Sequence, residues 1–174
     1  MENQNYTYCP RCATELTERL LGHKSHPTCP ACNFIQFQDP KVAVIAFVTH
    51  VDPATQENRV LLIQRAVDPA KGKWAMPGGY MDADEMPEDA LQRELLEEVG
   101  LKIQIEQLLN IFPMPGADGI NRGILLAYQA RPADPSQIEL YPQDDVCAAS
   151  WLTRSEISKY ELAFQTTGLL LEEW

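Results

Sequence analysis

Residues Gly79–Leu101 read GYMDADEMPEDALQRELLEEVGL, a stretch that combines a helical pattern with a high density of acidic side chains. Pro87 suits the first turn of a helix, because its missing N–H would be unpaired there in any case, and Gly100 suits the residue just past a helix end. Apolar residues recur every four positions between them and predict a buried stripe. These residues are Leu91, Leu95 and Val99. The sequence therefore predicts a helix from Pro87 to Gly100 with one face in the core.

Three glutamates lie beside this predicted stripe rather than opposite it. At about 100° per residue, Glu94, Glu97 and Glu98 fall on one arc that borders the apolar face. Each like-charged pair at this spacing costs roughly 0.2–0.5 kcal/mol on an exposed helix, and more where water is partly excluded. Arg93 offsets part of this repulsion, and a hard divalent cation such as Mg²⁺ would offset the rest. A solvated acidic face is the alternative interpretation, and the position of the glutamates beside the core argues against it.

The same segment resembles the Nudix box, Gly-x5-Glu-x7-Arg-Glu-U-x-Glu-Glu-x-Gly-U, in which U is apolar. Every fixed position of that pattern is filled, in order, by Gly79, Glu85, Arg93, Glu94, Leu95, Glu97, Glu98, Gly100 and Leu101. A pattern with so many fixed positions over so short a segment is far more specific than a lone glycine motif.

The resemblance implies an α/β fold, a Nudix-type α/β/α sandwich with a mixed sheet, over residues 40–174. It also implies hydrolysis, dependent on Mg²⁺ or Mn²⁺, of the diphosphate bond in a nucleoside diphosphate linked to another group. The metal ligands that it implies are the Gly79 carbonyl and the side chains of Glu94, Glu97 and Glu98. Arg93 and Glu85 are expected to hold these carboxylates in place rather than to contact phosphorus.

The resemblance identifies the general base less specifically than it identifies the metal ligands. In the family it is either a box glutamate, here Glu97 or Glu98, or an acid on a later loop. Asp145 lies six residues before Trp151, where relatives often carry a glutamate, and the shorter aspartate is our candidate. Glu139 and Asp144 lie in the same stretch, and an ordinary acidic loop is the alternative interpretation.

Substrate preference is indicated only outside the box. NADH pyrophosphatases carry Ser-Gln-Pro-Trp-Pro-Phe-Pro-x-Ser after the box, whereas residues 110–116 here read NIFPMPG. This difference weakens NADH as the main substrate, and the prolines of this region are those that ADP-ribose and FAD cleavers of the family carry. The expected substrate is therefore ADP-ribose, FAD or a related adenine dinucleotide, with NADH or a nucleoside-diphosphate sugar as the alternative. The predicted substrate contacts are Arg65, Lys73, Trp74 and Pro115. A purely structural role is the commoner explanation for any one such residue.

Two Cys-x-x-Cys pairs precede this domain, and sixteen residues separate them. The pairs are Cys9 with Cys12 and Cys29 with Cys32. This spacing predicts a closed, structural Zn²⁺ site with four thiolates, and residues 1–39 resemble a zinc ribbon. Two disulfides in a secreted domain are the alternative, and the absence of a signal-peptide pattern argues against them.

The remaining composition restricts the partners. The net charge is −11. Acidic residues outnumber basic ones both in residues 1–39 and in residues 40–174, so we expect no nucleic-acid partner. No apolar run is long enough to span a membrane. We expect a cytoplasmic enzyme with a nucleotide substrate, and a homodimer is one option for its assembly. A non-catalytic regulator that senses a nucleotide is a second hypothesis, which the complete box and the acidic charge disfavour.

Alternating and apolar segments predict the other elements. Strands are expected at 42–49, 60–64, 102–105, 120–130 and 148–152, and a helix is expected around 163–174. Within that last helix, Phe164, Leu169 and Leu170 are expected to face the core. Cys147, which lies in an apolar context, is expected to be a small core residue.

Overall fold

The computed structural model describes residues 6–115, 119 and 121–174, and for Arg122 the backbone alone. The chain folds as two compact units, one of Met1–Pro40 with Gly116–Ile120 and one of Lys41–Pro115 with Asn121–Trp174. Two predicted positions, Gly116 of the NIFPMPG segment and Ile120 at the start of a strand, lie outside the described residues. The domain boundary after residue 39 stays a prediction.

The smaller unit contains one antiparallel hairpin between the two cysteine pairs. Strand β1, Thr17–Leu21, pairs with β2, Lys24–Thr28, and a turn at Gly22 joins them. Gly22 has a φ of 62°, a left-handed conformation that glycine adopts without steric cost. The hairpin places the two cysteine pairs at the same end of the strands, one before β1 and one after β2.

Six strands form the sheet of the larger unit. They are β3 (Lys41–Val51), β4 (Asn58–Arg65), β5 (Trp74–Ala75), β6 (Ile103–Pro115), β7 (Asn121–Pro132) and β8 (Val146–Leu152). Their order is β5-β4-β3-β7-β6, and β8 pairs with β4. β3 and β7 are parallel and the other pairings among these six strands are antiparallel, so the predicted mixed sheet is confirmed.

Helices cover both faces of this sheet. They are α1 (Pro87–Val99), α2 (Arg154–Ile157) and α3 (Gln165–Glu172). Alternate residues of β4 point to opposite faces, so that Leu61 packs with α1 while Leu62 packs with α2 and α3. Because both faces are covered, the central strands are apolar throughout, as in VAVIAFV. The α/β/α architecture is therefore confirmed.

β6 is much longer than the strand predicted at 102–105. It runs to Pro115 and pairs with β7 along most of its length. The sequence pattern did not predict the part of β6 after residue 105, because this part contains two prolines, at 113 and 115, and several polar residues. Proline is tolerated because β6 is the last strand in the sheet order of the described residues, and an edge strand has one side free of ladder hydrogen bonds.

Three side chains predicted to lie in the core are exposed, namely those of Phe164, Leu169 and Cys147. Phe164 and Leu169 are 39% and 41% exposed, whereas Leu170 is buried as expected. The reason is that α3 starts only at Gln165 and turns Leu170 and Leu171 toward the sheet. Cys147 is exposed because it follows buried Val146 in β8, where successive side chains alternate between faces.

Among the helices in the described ranges, α1 is the longest at 13 residues. None of them has both the length and the apolar character needed to cross a membrane.

Candidate functional site

Helix α1 forms as its sequence predicts. It starts at Pro87 without a side-chain cap and ends at Gly100, whose φ of 69° is left-handed. The Gly100 N–H donates to Leu96 O and the Leu101 N–H to Leu95 O, which terminates the helix. The predicted apolar stripe of α1 is completely buried, and this burial fixes which face of the helix carries the glutamates.

The loop that precedes α1 runs alongside β3 as an irregular strand. Val44 N–H donates to the Gly79 carbonyl at 2.9 Å, and Ala46 N–H donates to the Pro77 carbonyl at 2.9 Å. The Gly79 carbonyl, a predicted metal ligand, therefore keeps one lone pair for another partner. These hydrogen bonds hold the loop against the sheet, directly over the glutamates of α1.

Both glycines of the Pro-Gly-Gly turn lie in close contact with neighbouring groups, and the backbone contact of Gly78 requires glycine. Gly78 has a φ of 135°, and a Cβ there would lie 2.2 Å from Val44 O. A Cβ on Gly79 would lie 2.6 Å from the Glu94 carboxyl group. The turn and the carboxylates are therefore packed together without space for a side chain between them.

Glu98 is the most buried member of the cluster, with 5% of the residue exposed. Its Oε2 accepts a hydrogen bond from the Gly78 N–H at 2.8 Å. Burial, together with the negative charges of Glu94 and Asp144, raises the pKa of Glu98 to about 8, although this hydrogen bond and the charge of Arg65 oppose the shift. An acid held in this way binds a cation or a proton readily.

Arg93 organises the remaining carboxylates. Its guanidinium donates to Glu85 through Nε at 3.1 Å and through Nη2 at 2.6 Å, a bidentate pair. Nη1 donates to Glu94 at 2.8 Å and to Glu97 at 3.0 Å. These contacts lower the pKa of Glu85, while burial raises the pKa of Glu94. The role predicted for Arg93 and Glu85, to hold the carboxylates in place, stays a prediction.

The predicted metal-binding glutamates are adjacent but do not converge on one point. In the described part of the chain, only the four cysteines bring three or more ligand atoms within 4.8 Å of one another. Glu94 and Glu97 turn toward Arg93, whereas Glu98 turns toward Gly78. Arg93 is thus the counter-charge of the cluster in this arrangement.

The later acidic loop is attached to the end of α1. Gln143 N–H donates to Glu98 O and Tyr141 N–H to Val99 O, both at 2.9 Å. On this loop the carboxylate that acts on the cluster is that of Asp144, since its charge raises the pKa of both Glu94 and Glu98. Asp145, our sequence candidate, is exposed and contributes its backbone carbonyl to Ala66 N–H.

The predicted substrate residues lie in different settings. Lys73 pairs with Glu161, and the ring of Trp74 lies 4.8 Å from that of Tyr160. Pro115 ends β6, opposite Asn121. Of these four residues, Arg65 has a charge that reaches the cluster, where it lowers the pKa of Glu98 against the dominant effect of burial.

Several residues of this site escaped sequence reasoning. Gly78 supplies an N–H to Glu98, and Tyr80 supplies its carbonyl to Arg93 Nη2 at 3.1 Å. Both act through the backbone, so no side-chain pattern reports them. Phe164 lies far along the chain from the box, and its ring is 5.3 Å from the guanidinium carbon of Arg65. The sequence shows only that Phe164 lies at the start of an apolar helical segment, and this position predicts a core residue.

Replacing Arg93 by lysine is expected to lower the free energy of unfolding by about 1–3 kcal/mol, because an ammonium cannot reproduce the bidentate pair with Glu85 and the contacts beyond it. Chemical denaturation measures this change. Arg131→Lys is the matched control, since Arg131 pairs with Glu106 on the exposed edge of the sheet and should change stability by no more than about 0.5 kcal/mol. Equal losses in both variants would contradict the proposed organising role of Arg93.

The second cluster is in the smaller unit and consists of the four predicted cysteines. Their Sγ atoms lie 3.4 Å apart for Cys12 and Cys29, 3.5 Å for Cys9 and Cys32, and 3.6 Å for Cys12 and Cys32. A tetrahedral zinc with Zn–S bonds of about 2.3 Å requires Sγ atoms about 3.8 Å apart. The spacing is therefore close to that of a four-thiolate site, and the four sulfurs are free thiols rather than disulfides.

The two cysteine pairs have the same local conformation. Ala13 and Asn33, each directly after the second cysteine of its pair, both have a φ of 57°. Each donates its N–H to the carbonyl of the first cysteine of the pair, Ala13 to Cys9 at 2.8 Å and Asn33 to Cys29 at 3.0 Å. Two tight turns of this kind each present two sulfurs to one point.

Comparison with known proteins agrees with these features. A family model of the NUDIX domain matches residues 39–170. An ADP-ribose pyrophosphatase of Methanocaldococcus jannaschii is 40% identical over 63 residues, which are 36% of this chain and 37% of that protein. The NAD-capped RNA hydrolase ndx-9 of Caenorhabditis elegans is 26% identical over 157 residues, which are 88% of this chain and 38% of that protein. The chain thus spans less than two fifths of the length of these two relatives.

A solved structure extends the likeness to nearly the whole chain. The crystal structure of a NUDIX hydrolase from Nitrosomonas europaea superimposes with a TM-score of 0.82 at 26% sequence identity, and covers 97% of this chain and 92% of that one. The family model alone covers more than half of the chain, and its range includes the segment that forms the carboxylate cluster. On this evidence the chain belongs to the Nudix family.

Proposed function

We propose that this protein hydrolyses the diphosphate bond of a nucleoside diphosphate linked to another group, with ADP-ribose, FAD or a related adenine dinucleotide as the substrate class. The observation that carries the proposal is the position of Glu94 and Glu98. Both carboxylates lie partly or wholly buried against the Gly78–Gly79 turn, and burial raises the pKa of each. Buried acids that repel one another at the end of a loop are typical of a cation-binding catalytic site.

The donor set fits Mg²⁺ or Mn²⁺. All of the available ligands are oxygens, namely the carboxylates of Glu94, Glu97 and Glu98 and the free lone pair of the Gly79 carbonyl, and hard divalent cations prefer such ligands. A divalent cation bound there supplies positive charge against the oxygens of the diphosphate. Arg93 carries one positive charge against the three carboxylates that it contacts, those of Glu85, Glu94 and Glu97, so the cluster keeps a net negative charge that attracts a cation.

The chain's own residues supply positioning and a proton acceptor. Arg93 and Glu85 fix the orientation of Glu94 and Glu97 through the hydrogen bonds described above. The general base takes a proton from the attacking water, whose oxygen forms the new bond to phosphorus while the bond to the bridging oxygen breaks. We assign this role to a box glutamate, Glu97 or Glu98, or to the loop that carries Asp144 and Asp145.

Substrate recognition is proposed for residues outside the box. The M. jannaschii relative is named for ADP-ribose and ndx-9 for NAD-capped RNA, and both substrates contain an adenine nucleotide joined through a diphosphate. Arg65 is the basic residue that we assign to the diphosphate, because it lies at the end of β4 beside the loop of Asp144 and Asp145, which is attached to the end of α1. Lys73, Trp74 and Pro115 remain candidates for the rest of the substrate.

For the smaller unit we propose structural Zn²⁺ held by Cys9, Cys12, Cys29 and Cys32. Four thiolates close a tetrahedral site and leave no position for a substrate. The hydroxyl and N–H of Thr14 lower the pKa of Cys12 to about 6, whereas burial and the neighbouring cysteines raise the pKa of Cys32 to about 12. Metal binding would therefore release protons from this cluster. We assign residues 1–39 to this ribbon and residues 40–174 to the hydrolase domain.

A substrate panel tests the proposed function. The full-length protein is incubated with Mg²⁺ or Mn²⁺ and with ADP-ribose, FAD, NADH and a nucleoside-diphosphate sugar, and the nucleoside monophosphate product is quantified by chromatography. ADP-ribose or FAD is expected to give AMP at rates at least about tenfold above those of the sugar nucleotide. Faster turnover of NADH would replace the proposed substrate class, and no cleavage of any compound would overturn the enzymatic function.

A further inference from the structure

Phe164 is an exposed aromatic residue that lies next to Arg65, a basic side chain at the end of β4. Arg65 pairs with Val146, directly after the loop of Asp144 and Asp145, and Gln143 N–H of the same loop donates to Glu98 O. Phe164 is 39% exposed, and the centre of its ring lies 5.3 Å from the guanidinium carbon of Arg65. A guanidinium within about 6 Å of a ring centroid is attracted by the negative face of the ring. The contact joins the C-terminal segment to the end of β4.

Arg65 is held on two sides. Its Nε donates to the Pro69 carbonyl at 2.8 Å, and the ring of Phe164 lies on another side. Within residues 6–115, 119 and 121–174, its two terminal nitrogens donate to no protein atom and no carboxylate lies within ion-pair distance of them. In a chain of net charge −11, a guanidinium that is positioned and yet has no ion-pair partner among the described residues is suited to an anionic ligand.

The segment that carries Phe164 is itself fixed to the sheet. Trp74 N–H donates to Glu161 O at 2.9 Å, and Ala163 N–H donates to Trp74 O at 2.7 Å. Trp74 in turn pairs with Gln64, the neighbour of Arg65 on β4. Because the backbone on both sides of the ring contact belongs to one hydrogen-bonded array, the position of the ring relative to Arg65 is determined by the fold.

We propose that Phe164 is a positioning residue that holds the Arg65 guanidinium for the diphosphate of the substrate. This inference rests on the proposed function, since it takes the anion beside Glu98 to be that diphosphate. It explains why an aromatic side chain predicted for the core lies at the surface. The terminal nitrogens of Arg65 bind phosphate oxygens, while the ring restricts the orientations that the guanidinium can adopt.

The test compares Phe164→Leu, which keeps an apolar side chain without a ring, with Phe164→Trp, which keeps an aromatic face. We expect the leucine variant to bind ADP, measured by isothermal titration calorimetry, about two- to tenfold more weakly, and to raise KM by a similar factor with kcat changed less than about twofold. The tryptophan variant should restore both values. Leu169→Ala, a change at a second exposed apolar residue of the same segment, should leave both values unchanged.

A double-mutant cycle with Arg65→Gln separates positioning from a general effect on the fold. Once the guanidinium is absent, Phe164→Leu should weaken ADP binding no further. Fully additive losses, a leucine variant that matches the wild type, or a loss that tryptophan does not restore would overturn the inference while the proposed function stood. A wild-type protein that cleaves no compound of the panel would instead overturn the proposed function, and this inference with it.

Discussion

Replacement of Glu98 by glutamine is expected to lower kcat at least about 100-fold, because several kcal/mol of charge stabilisation depend on the carboxylates at this site and each 1.36 kcal/mol is a factor of ten. Glutamine has the same shape, and its amide oxygen can accept the hydrogen bond that Gly78 N–H donates to Glu98 Oε2. The substitution therefore removes a negative charge without removing the contact. Initial rates with saturating Mn²⁺ and the best substrate of the panel measure the effect.

Glu88→Gln is the matched control for this experiment. Glu88 lies on the same helix, and its Oε1 accepts a hydrogen bond from the hydroxyl of Tyr128 at 3.2 Å. It is outside the carboxylate cluster, so its replacement should leave kcat within about twofold, a change below roughly 0.5 kcal/mol in the barrier. Near-normal turnover by the Glu98 variant, or an equal loss in both variants, would refute the assignment of Glu98 to the site.

The thermal stability of Glu98→Gln, measured in buffer without added divalent cations, gives an independent test of the environment of Glu98. The pKa of Glu98 rises from its ordinary value of 4.5 to about 8 in the folded protein, chiefly because of burial. Its contribution to stability is therefore complete below pH 4.5 and is lost as the pH rises to 8. Glutamine does not titrate, so the Tm of Glu98→Gln should exceed that of the wild type increasingly between pH 5 and pH 8.

The arrangement of the box residues could be predicted from the sequence, because the helical spacing that buries the apolar residues also places the glutamates. Leu91, Leu95 and Val99 define a buried face, and the box glutamates follow from that face by angle alone. The bidentate contact of Arg93 with Glu85 was not visible in a pattern, but its role as a counter-charge was. Local periodicity was sufficient here since every one of these groups belongs to one helix or to the loop before it.

What the sequence did not predict depends on pairing between distant segments. β6 continues to Pro115 because β7 pairs with it, and the prolines of an edge strand look like loop residues until the partner is known. Phe164 was assigned to the core since an aromatic beside an apolar helix usually lies there, and only the attachment of residues 161–163 to Trp74 places it beside Arg65. Asp144 is distinguished from Asp145 by a positive φ of 51°, which no spacing rule predicts.

Loss of the cysteine site is expected to have a comparably large effect on the smaller unit. The buried residues among positions 6–40 are Cys9, Pro27, Thr28, Cys29 and Gln36, a set that provides almost no apolar core. Chains of about 40 residues rarely fold without a metal or disulfides, and zinc binding supplies roughly 10–16 kcal/mol of apparent free energy in small zinc modules. Removing one thiolate should therefore remove both the metal and the fold of this unit.

The measurement is metal analysis of the full-length protein purified without chelator, combined with amide NMR spectra. The wild type should carry about one zinc per chain, as a single four-thiolate site requires, and Cys9→Ser should carry less than about a tenth of that amount. Cys147→Ser is the matched control, because Cys147 is the fifth cysteine, is exposed and lies outside the cluster. It should retain all of the zinc.

The NMR spectra show whether the hairpin needs the metal in order to fold or folds without it. In Cys9→Ser, the amide signals of β1 and β2 should collapse toward random-coil positions, because the hairpin has few buried side chains to hold it once the sulfurs no longer meet. Dispersed hairpin signals in a zinc-free variant would show that the strands fold by themselves and would refute a structural role for the metal. Equal zinc loss in Cys147→Ser would instead show that the metal is bound outside the four clustered cysteines.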